Sequence, residues 1–305
     1  MVIRVQEISK HFKTVQALKN ISFQVAEGEV FGLIGPDGAG KTTLIRIMAT
    51  LLKQDAGNIT LAGYNNIEDY EQVRNLIGYV PGKFSLYQDL TVEENLNLFA
   101  TIFGTTLQEN YYLIKDIYQM LEPFKKRRAG NLSGGMKQKL ALSCALIHKP
   151  KILLLDEPTT GVDPVSRKEF WEMLGRLKNE GITILVTTPY MDEAAKCDRV
   201  GLIQTGNILS IDTPQNIITG FPLKIYSVRS LKRVELLHHL RDMPNAHSAN
   251  LFGDSIHYIQ KMPEPDELTL EAALKQAGYL DAKVERIQPV IEDCFIELMK
   301  SQIAA

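Results

Sequence analysis

Residues Gly35–Thr42 read GPDGAGKT, a full match to G-x-x-x-x-G-K-[ST], and no other feature constrains this chain as tightly. Glycines at these places let the backbone turn sharply and aim its N–H groups at phosphate oxygens. A helix predicted over Lys41–Leu52 starts at the same point, so its positive N-terminal end faces the anion as well. Lys41 is placed to reach the β- and γ-phosphates, and the Thr42 hydroxyl to coordinate magnesium. The flanks agree with this reading. Val30-Phe31-Gly32-Leu33-Ile34 is a short apolar run of strand character, and Leu44, Ile45, Ile47, Met48, Leu51 and Leu52 recur at helical spacing. The expected ligand is a nucleoside triphosphate with Mg2+, held by Gly35, Pro36, Asp37, Gly38, Ala39, Gly40, Lys41, Thr42 and Thr43.

At 305 residues the chain is long enough for one full nucleotide-binding domain and a smaller companion. Its apolar and charged fractions, 45% and 23%, are those of an ordinary soluble globular protein. A net charge of −2 leaves no basic footprint, so nucleic acid is not expected as a partner. Cys144, Cys197 and Cys294 lie far apart, in no metal-ligand spacing, and read as reduced core thiols of a cytosolic protein. The opening MVIRVQEISK has no apolar stretch of the signal-peptide kind. Runs such as Ile152–Leu155 and Ile182–Val186 fall far short of the ~20 residues that span a bilayer. The expectation is therefore a cytoplasmic chain whose membrane role, if it has one, runs through separate chains.

Residues 1–30 alternate as strands do, with Glu27-Gly28-Glu29 as a turn. Strand signals return at Asn58–Ala62 and Ile77–Val80. From Thr91 to about Gln119 the pattern is helical, opened by a capping box of Thr91 with Glu94. After residue 131 a β/α alternation is predicted: helix 135–147, strand 152–155, helix 164–180, strand 182–186, helix 191–196 and strand 200–204. Short buried strands alternating with helices imply a parallel sheet covered on both faces. Pro214 and Pro222 flank a boundary. Beyond it, strand 224–229, helix 233–243, strand 257–260, helix 268–278, strand 284–289 and helix 291–301 suggest a small α+β unit of split βαβ type. The fold class is thus α/β: a phosphate-loop core over 1–215 with a helical insert at about 88–147, plus a C-terminal accessory domain at 222–305.

Two further constellations bear on chemistry. In Ile152-Leu153-Leu154-Leu155-Asp156-Glu157 a buried strand delivers Asp156 to its C-terminal end, where it can hold magnesium directly or through water. Glu157 follows, positioned to orient and polarise an attacking water. In Leu132-Ser133-Gly134-Gly135 a hydroxyl and free N–H groups stand at a helix start, which makes a second anion site. One chain then carries two phosphate sites, and they can serve one nucleotide only if two chains pack head to tail.

The order GPDGAGKT, LSGG and LLLDEP, with a helical insert before LSGG, resembles the nucleotide-binding domain of ABC transporters. The resemblance covers residues 1 to about 215. Together with the closing stretch PVIEDCFIELM, it is most similar to drug-efflux ATPases of the ABC-2 class, whose permeases are separate membrane chains. The resemblance implies ATP as the nucleotide, Glu157 and Lys41 as catalytic residues, and Thr42 and Asp156 as magnesium ligands. It implies adenine stacking on Phe12, Leu132–Gly135 reaching the partner's ATP, and Asp163 as the D-loop residue at the opposite subunit. The implied partners are a second nucleotide-binding chain, in a homo- or heterodimer, and an ABC-2 type permease contacted through residues 83–104.

Three positions depart from the family pattern. Asp37 stands where Asn is commoner. Gly82, after Tyr79-Val80-Pro81, occupies the Q-loop glutamine position, and Pro189 occupies the switch-histidine position. Neither can supply the side-chain contact to the γ-phosphate or the attacking water. Losing one preorganised contact of this kind costs ~10²–10³-fold in rate. ATP binding should survive better than hydrolysis, with turnover low or dependent on a partner chain. Two competing readings keep the fold. One is a non-transport ABC ATPase of translation or DNA repair, and the other a low-turnover regulatory subunit. Lys125–Arg128 read as a solvated basic face, His238 and His239 as exposed helix residues, and Trp171 as helix core.

Overall fold

The computed structural model describes residues 1–261 and 266–303. Its elements, in chain order, are β1 (Ile3–Phe12), β2 (Val15–Val25), β3 (Val30–Ile34), α1 (Lys41–Met48), β4 (Ala56–Leu61), β5 (Tyr64–Asn65), α2 (Tyr70–Leu76), β6 (Ile77–Val80), α3 (Val92–Ile102), α4 (Tyr111–Tyr118), α5 (Gly134–Leu146), β7 (Ile152–Asp156), α6 (Pro164–Asn179), β8 (Thr183–Thr188), β9 (Arg199–Gln204), β10 (Asn207–Asp212), α7 (Pro214–Thr219), β11 (Ile225–Arg229), α8 (Arg233–Asp242), β12 (Ala246–Phe252), β13 (Ser255–Gln260), α9 (Glu267–Gln276), β14 (Lys283–Ile287) and α10 (Ile291–Ile303). The chain divides into Met1–Pro214, joined by the end of α10 from Leu298, and Gln215–Glu297. Most of the boundary between Pro214 and Pro222 is the short helix α7.

The first unit holds two sheets. One is a four-stranded sheet in the order β2-β1-β4-β5, and the other a six-stranded sheet in the order β10-β9-β3-β8-β7-β6. In the larger sheet β9, β3, β8, β7 and β6 run parallel, while β10 pairs antiparallel at one edge. The expectation of an all-parallel sheet is corrected on this point and by the separate antiparallel sheet. The central strands β3, β7 and β8 are buried at every residue, as strands covered on both faces must be. Ile3, Phe31, Leu44, Ile45, Ile47, Leu154 and Leu185 belong to the core that joins the two sheets to α1.

The first helix is shorter than its periodicity predicts. It ends at Met48, and Thr50 takes a positive φ of 60°, a left-handed turn that no α-helix continues through. Leu51 is exposed as a result. The predicted helical stretch 91–119 is broken in two, with Gly104 at φ 66° between α3 and α4. The predicted helix at 191–196 is a 3₁₀ turn. Among the described residues no helix is long and apolar enough to cross a membrane.

The second unit is a βαββαβ chain whose antiparallel sheet runs β12-β13-β11-β14, the split arrangement that the sequence pattern indicates. Strand β12 was not anticipated, because AHSANLF has no regular alternation. Leu236, Leu240, Leu270, Leu274 and Tyr258 form the core of this unit. The three cysteines are free and buried, as expected.

The capping box at the start of α3 is complete. Glu94 N–H donates to Thr91 Oγ1 at 3.2 Å, and Thr91 N–H donates to Glu94 Oε2 at 2.7 Å. These bonds hold the Glu94 carboxyl below its usual range, with the Thr91 backbone N–H the main cause. Its contribution is therefore full above the ordinary glutamate pKa of 4.5 and is lost as pH falls through the lowered folded value. Thr91→Ala should lower stability by about 1 kcal/mol in denaturant titration at neutral pH. That deficit should shrink on acidification, when Glu94 protonates in the parent chain as well.

Candidate functional site

Parallel pairing brings the ends of β3, β7 and β8 to one edge of the sheet. Ile34 lies opposite Thr188, and Thr187 opposite Asp156. The loop that follows β3 is tied to this edge by Gly35 N–H, which donates to the Thr188 carbonyl at 3.3 Å. Gly38 and Gly40 take φ values of 78° and 105°. At Gly40 an added Cβ would stand 2.6 Å from the Ala17 carbonyl oxygen, so glycine is required both by conformation and by the close approach of β2.

Lys41, only 2% exposed, lies at the centre of the loop. Its Nζ donates to the carbonyls of Gly35 at 2.8 Å and Pro36 at 3.0 Å, and it pairs with Glu157 Oε1 at 3.0 Å. Thr42 Oγ1 donates to Asp156 Oδ1 at 3.0 Å, and Thr187 Oγ1 donates to the same oxygen at 2.9 Å. Burial pushes the Asp156 carboxyl above the usual carboxylate range, and the neighbouring Glu157 charge adds to the rise. The Thr187 and Thr42 hydroxyls and Arg46 oppose it. Glu157 itself has φ 49°, a left-handed backbone for a non-glycine residue, of the kind that clusters at functional sites.

A cleft of about 610 Å³ opens over these groups. Its walls include Gly38, Ala39, Gly40, Lys41, Thr42 and Thr43 from the loop, together with Glu157. The opposite wall is Thr14–Ala17 with Lys19 from the β1–β2 hairpin, plus Thr205. That wall was invisible in the sequence, since its residues match no motif and reach the loop only through the packing of one sheet against the other. Phe12, at the end of β1, is 47% exposed with Lys10 Nζ 5.8 Å from its ring centroid, and it is not among the residues lining the cleft.

The LSGG run lies apart from the cleft lining. Leu132 is buried, while Ser133 and Gly134 are exposed at the start of α5. Ser133 caps that helix by accepting from Met136 N–H at 3.3 Å. A Cβ on Gly135 would stand 3.0 Å from Ser166 Oγ, which sets LSGG against the first turn of α6. Asp163 caps α6, its Oδ1 accepting from Val165 N–H at 3.1 Å and Ser166 N–H at 3.0 Å, and these bonds hold its carboxyl below the usual range. At Gly82 an added Cβ would lie 2.9 Å from the Asp156 carbonyl oxygen. The glycine is therefore packed against the backbone beneath the carboxylates.

A family model described as ABC transporter matches residues 18–160, which contain the loop, LSGG and LLLDEP. The Nod factor export ATP-binding protein I of Burkholderia pseudomallei is 35% identical over 96% of this chain and 95% of its own length. The chain belongs to the ABC transporter ATP-binding protein family. The probable multidrug ABC transporter ATP-binding protein YbhF of Escherichia coli K12 is 38% identical over 98% of this chain, which spans about half, 52%, of YbhF. Among solved structures, a dimeric post-hydrolysis state of the ATP-binding cassette MJ0796 bound to ADP and Pi superposes with a TM-score of 0.63 at 26% identity, covering 69% of this chain and 98% of that one.

In this ABC cassette the loop 35–42 lies within the matched span and forms one wall of the cleft. Gly40→Ala should displace it from the hairpin wall. The expected outcome is a loss of nucleotide affinity of about tenfold or more in fluorescent-nucleotide titration, since the substitution combines a disfavoured φ with a backbone clash. A lower melting temperature should accompany it.

Proposed function

We propose that this chain is the ATP-binding and hydrolysing subunit of an ABC-2 type exporter, acting through separate permease chains from the cytoplasmic face of the membrane. The observation that carries this reading is the position of LSGG. Ser133 and Gly134 are exposed at a helix start and do not line the chain's own cleft. A second cassette packed head to tail would use them against its own ATP, and the dimeric state of the solved MJ0796 cassette supports such a pairing. The names of relatives concerned with multidrug and Nod factor export support transport over a role in translation or repair.

Within the cleft, Gly35–Thr43 would bind the phosphates, Lys41 would neutralise them, and Glu157 would orient the attacking water. Thr42 and Asp156 fit Mg2+, because their oxygens lie 3.0 Å apart and form the hard donor set that this ion prefers. When bound, the ion would supply positive charge to offset that of the phosphates. Phe12 would stack on adenine beyond the cleft wall, and Asp163 would face the partner chain. A groove of about 710 Å³, lined by Leu86, Phe99 and Phe103 from the insert and by Arg46, Leu51 and Tyr79 from the core, is the surface offered to a permease.

Pro189 and Gly82 favour a second element of this reading, in which the chain's own site turns over slowly and a partner chain carries the faster one. Ser133→Arg should then leave the chain's own ATP binding intact while suppressing ATPase activity of the assembled transporter by about 10²-fold. Equal activity in the reconstituted complex would refute the head-to-tail arrangement. Pro189→His should raise turnover. Gly82→Gln should not, because its Cβ would press on the Asp156 carbonyl and move the carboxylates it is meant to assist.

A further inference from the structure

Thr187 is fully buried, matches no motif, and bonds both the Asp156 carboxylate and the Glu157 backbone amide. Its hydroxyl donates to Asp156 Oδ1 at 2.9 Å and accepts from Glu157 N–H at 3.0 Å. Its own carbonyl accepts from the same Glu157 N–H at 3.1 Å. The amide of a residue in a left-handed conformation is thus held by two oxygens of a single neighbour. Glutamate gains no intrinsic stability at φ 49°, so the surroundings must impose that backbone, and Thr187 is the residue that does so through hydrogen bonds.

Thr187 is itself fixed from both sides. Strand pairing sets it between Leu33 of β3 and Asp156 of β7. The next residue, Thr188, is fully buried and donates to Glu193 Oε2 at 2.6 Å. Glu193 is buried and pairs with Arg167 Nε at 3.2 Å, and the Arg167 guanidinium lies 4.3 Å from the centroid of the Tyr190 ring. The strut from α6 to the 3₁₀ turn at 191–196 therefore braces the end of β8 just where Pro189 has no side-chain donor to offer.

We propose that Thr187 is a positioning residue of the nucleotide site, orienting Asp156 towards a divalent cation and fixing the direction in which Glu157 leaves the strand. The inference rests on the reading of this cleft as a Mg–ATP site. Thr187 acts through the Asp156 carboxylate and the Glu157 backbone. Its hydroxyl ties the Asp156 carboxylate and the Glu157 backbone to the end of the sheet. Serine keeps the hydroxyl, whereas valine keeps the shape and removes both of its hydrogen bonds.

The test compares wild type, Thr187→Ser and Thr187→Val as full-length chains. ATP affinity is measured once in EDTA and once with Mn2+, whose binding is also read by electron paramagnetic resonance. Thr187→Val should lose about tenfold in Mn2+–ATP affinity, the scale of one hydrogen bond to a charged group, while ATP binding in EDTA stays within about twofold. Thr187→Ser should keep both. A valine variant with wild-type Mn2+–ATP affinity, or a serine variant as weak as valine, would overturn the proposal. A wild-type chain that binds ATP in neither condition would overturn the nucleotide reading and this proposal with it. Should the valine variant fail to fold, hydrogen exchange of the Glu157 amide in the wild-type chain decides: strong protection supports the clamp, and free exchange refutes it.

Discussion

The insertion of β8 between β3 and β7 is the constraint on which the rest of the site depends. Parallel strands end at one edge, so the loop after β3, the carboxylates after β7 and the two threonines closing β8 are forced into contact. Gly35 and Glu157 each donate a backbone N–H to a carbonyl of β8, Thr188 and Thr187 respectively. Shifting this pairing by one residue would turn Thr187 away from Asp156 and expose the strand's apolar face to the wrong neighbours. The sheet is therefore the device that sets distances in the site, and the loops inherit their positions from it.

Charge placement follows from that geometry. A lysine as buried as Lys41 is tolerated only with its ammonium fully satisfied, and two loop carbonyls and Glu157 satisfy it. Asp156 is the counterpart, a buried carboxylate raised above its usual range by burial, a rise that the hydroxyls of Thr187 and Thr42 oppose. Such an arrangement favours a cationic ligand beside an anionic one, as a metal–phosphate complex provides. The proposed asymmetry between gripping and hydrolysing ATP has the same physical origin: the phosphate loop is complete on this chain, whereas Gly82 and Pro189 offer no side-chain hydrogen-bonding group.

Legibility in the sequence tracked how local each determinant is. Strands β3 and β7 are short continuous apolar runs, and α5 and α6 begin at Ser133 and Asp163, which accept backbone N–H groups at their own helix starts. These elements were readable because their signals lie within a few residues. The end of α1 was not, since a left-handed Thr50 interrupts a periodic pattern that continues through Leu52. Strands β10 and β12 were missed because an edge or weakly alternating strand is stabilised by its neighbours and not by its own pattern. The hairpin wall of the cleft and the role of Thr187 were invisible for a stronger reason: each depends on contacts between residues far apart in the chain.

By itself, the sequence determined the family and the class of ligand, because GPDGAGKT, LSGG and LLLDEP encode their chemistry in local spacing. The tertiary structure decided how those residues meet. It placed LSGG outside the chain's own cleft and packed Gly82 against Asp156, and it closed the phosphate loop with a hairpin that no motif announces. It also gave Thr187 its place between the Asp156 carboxylate and the Glu157 amide. Such outcomes depend on strand order and register, which are set by burial of the whole core and cannot be read from any one segment.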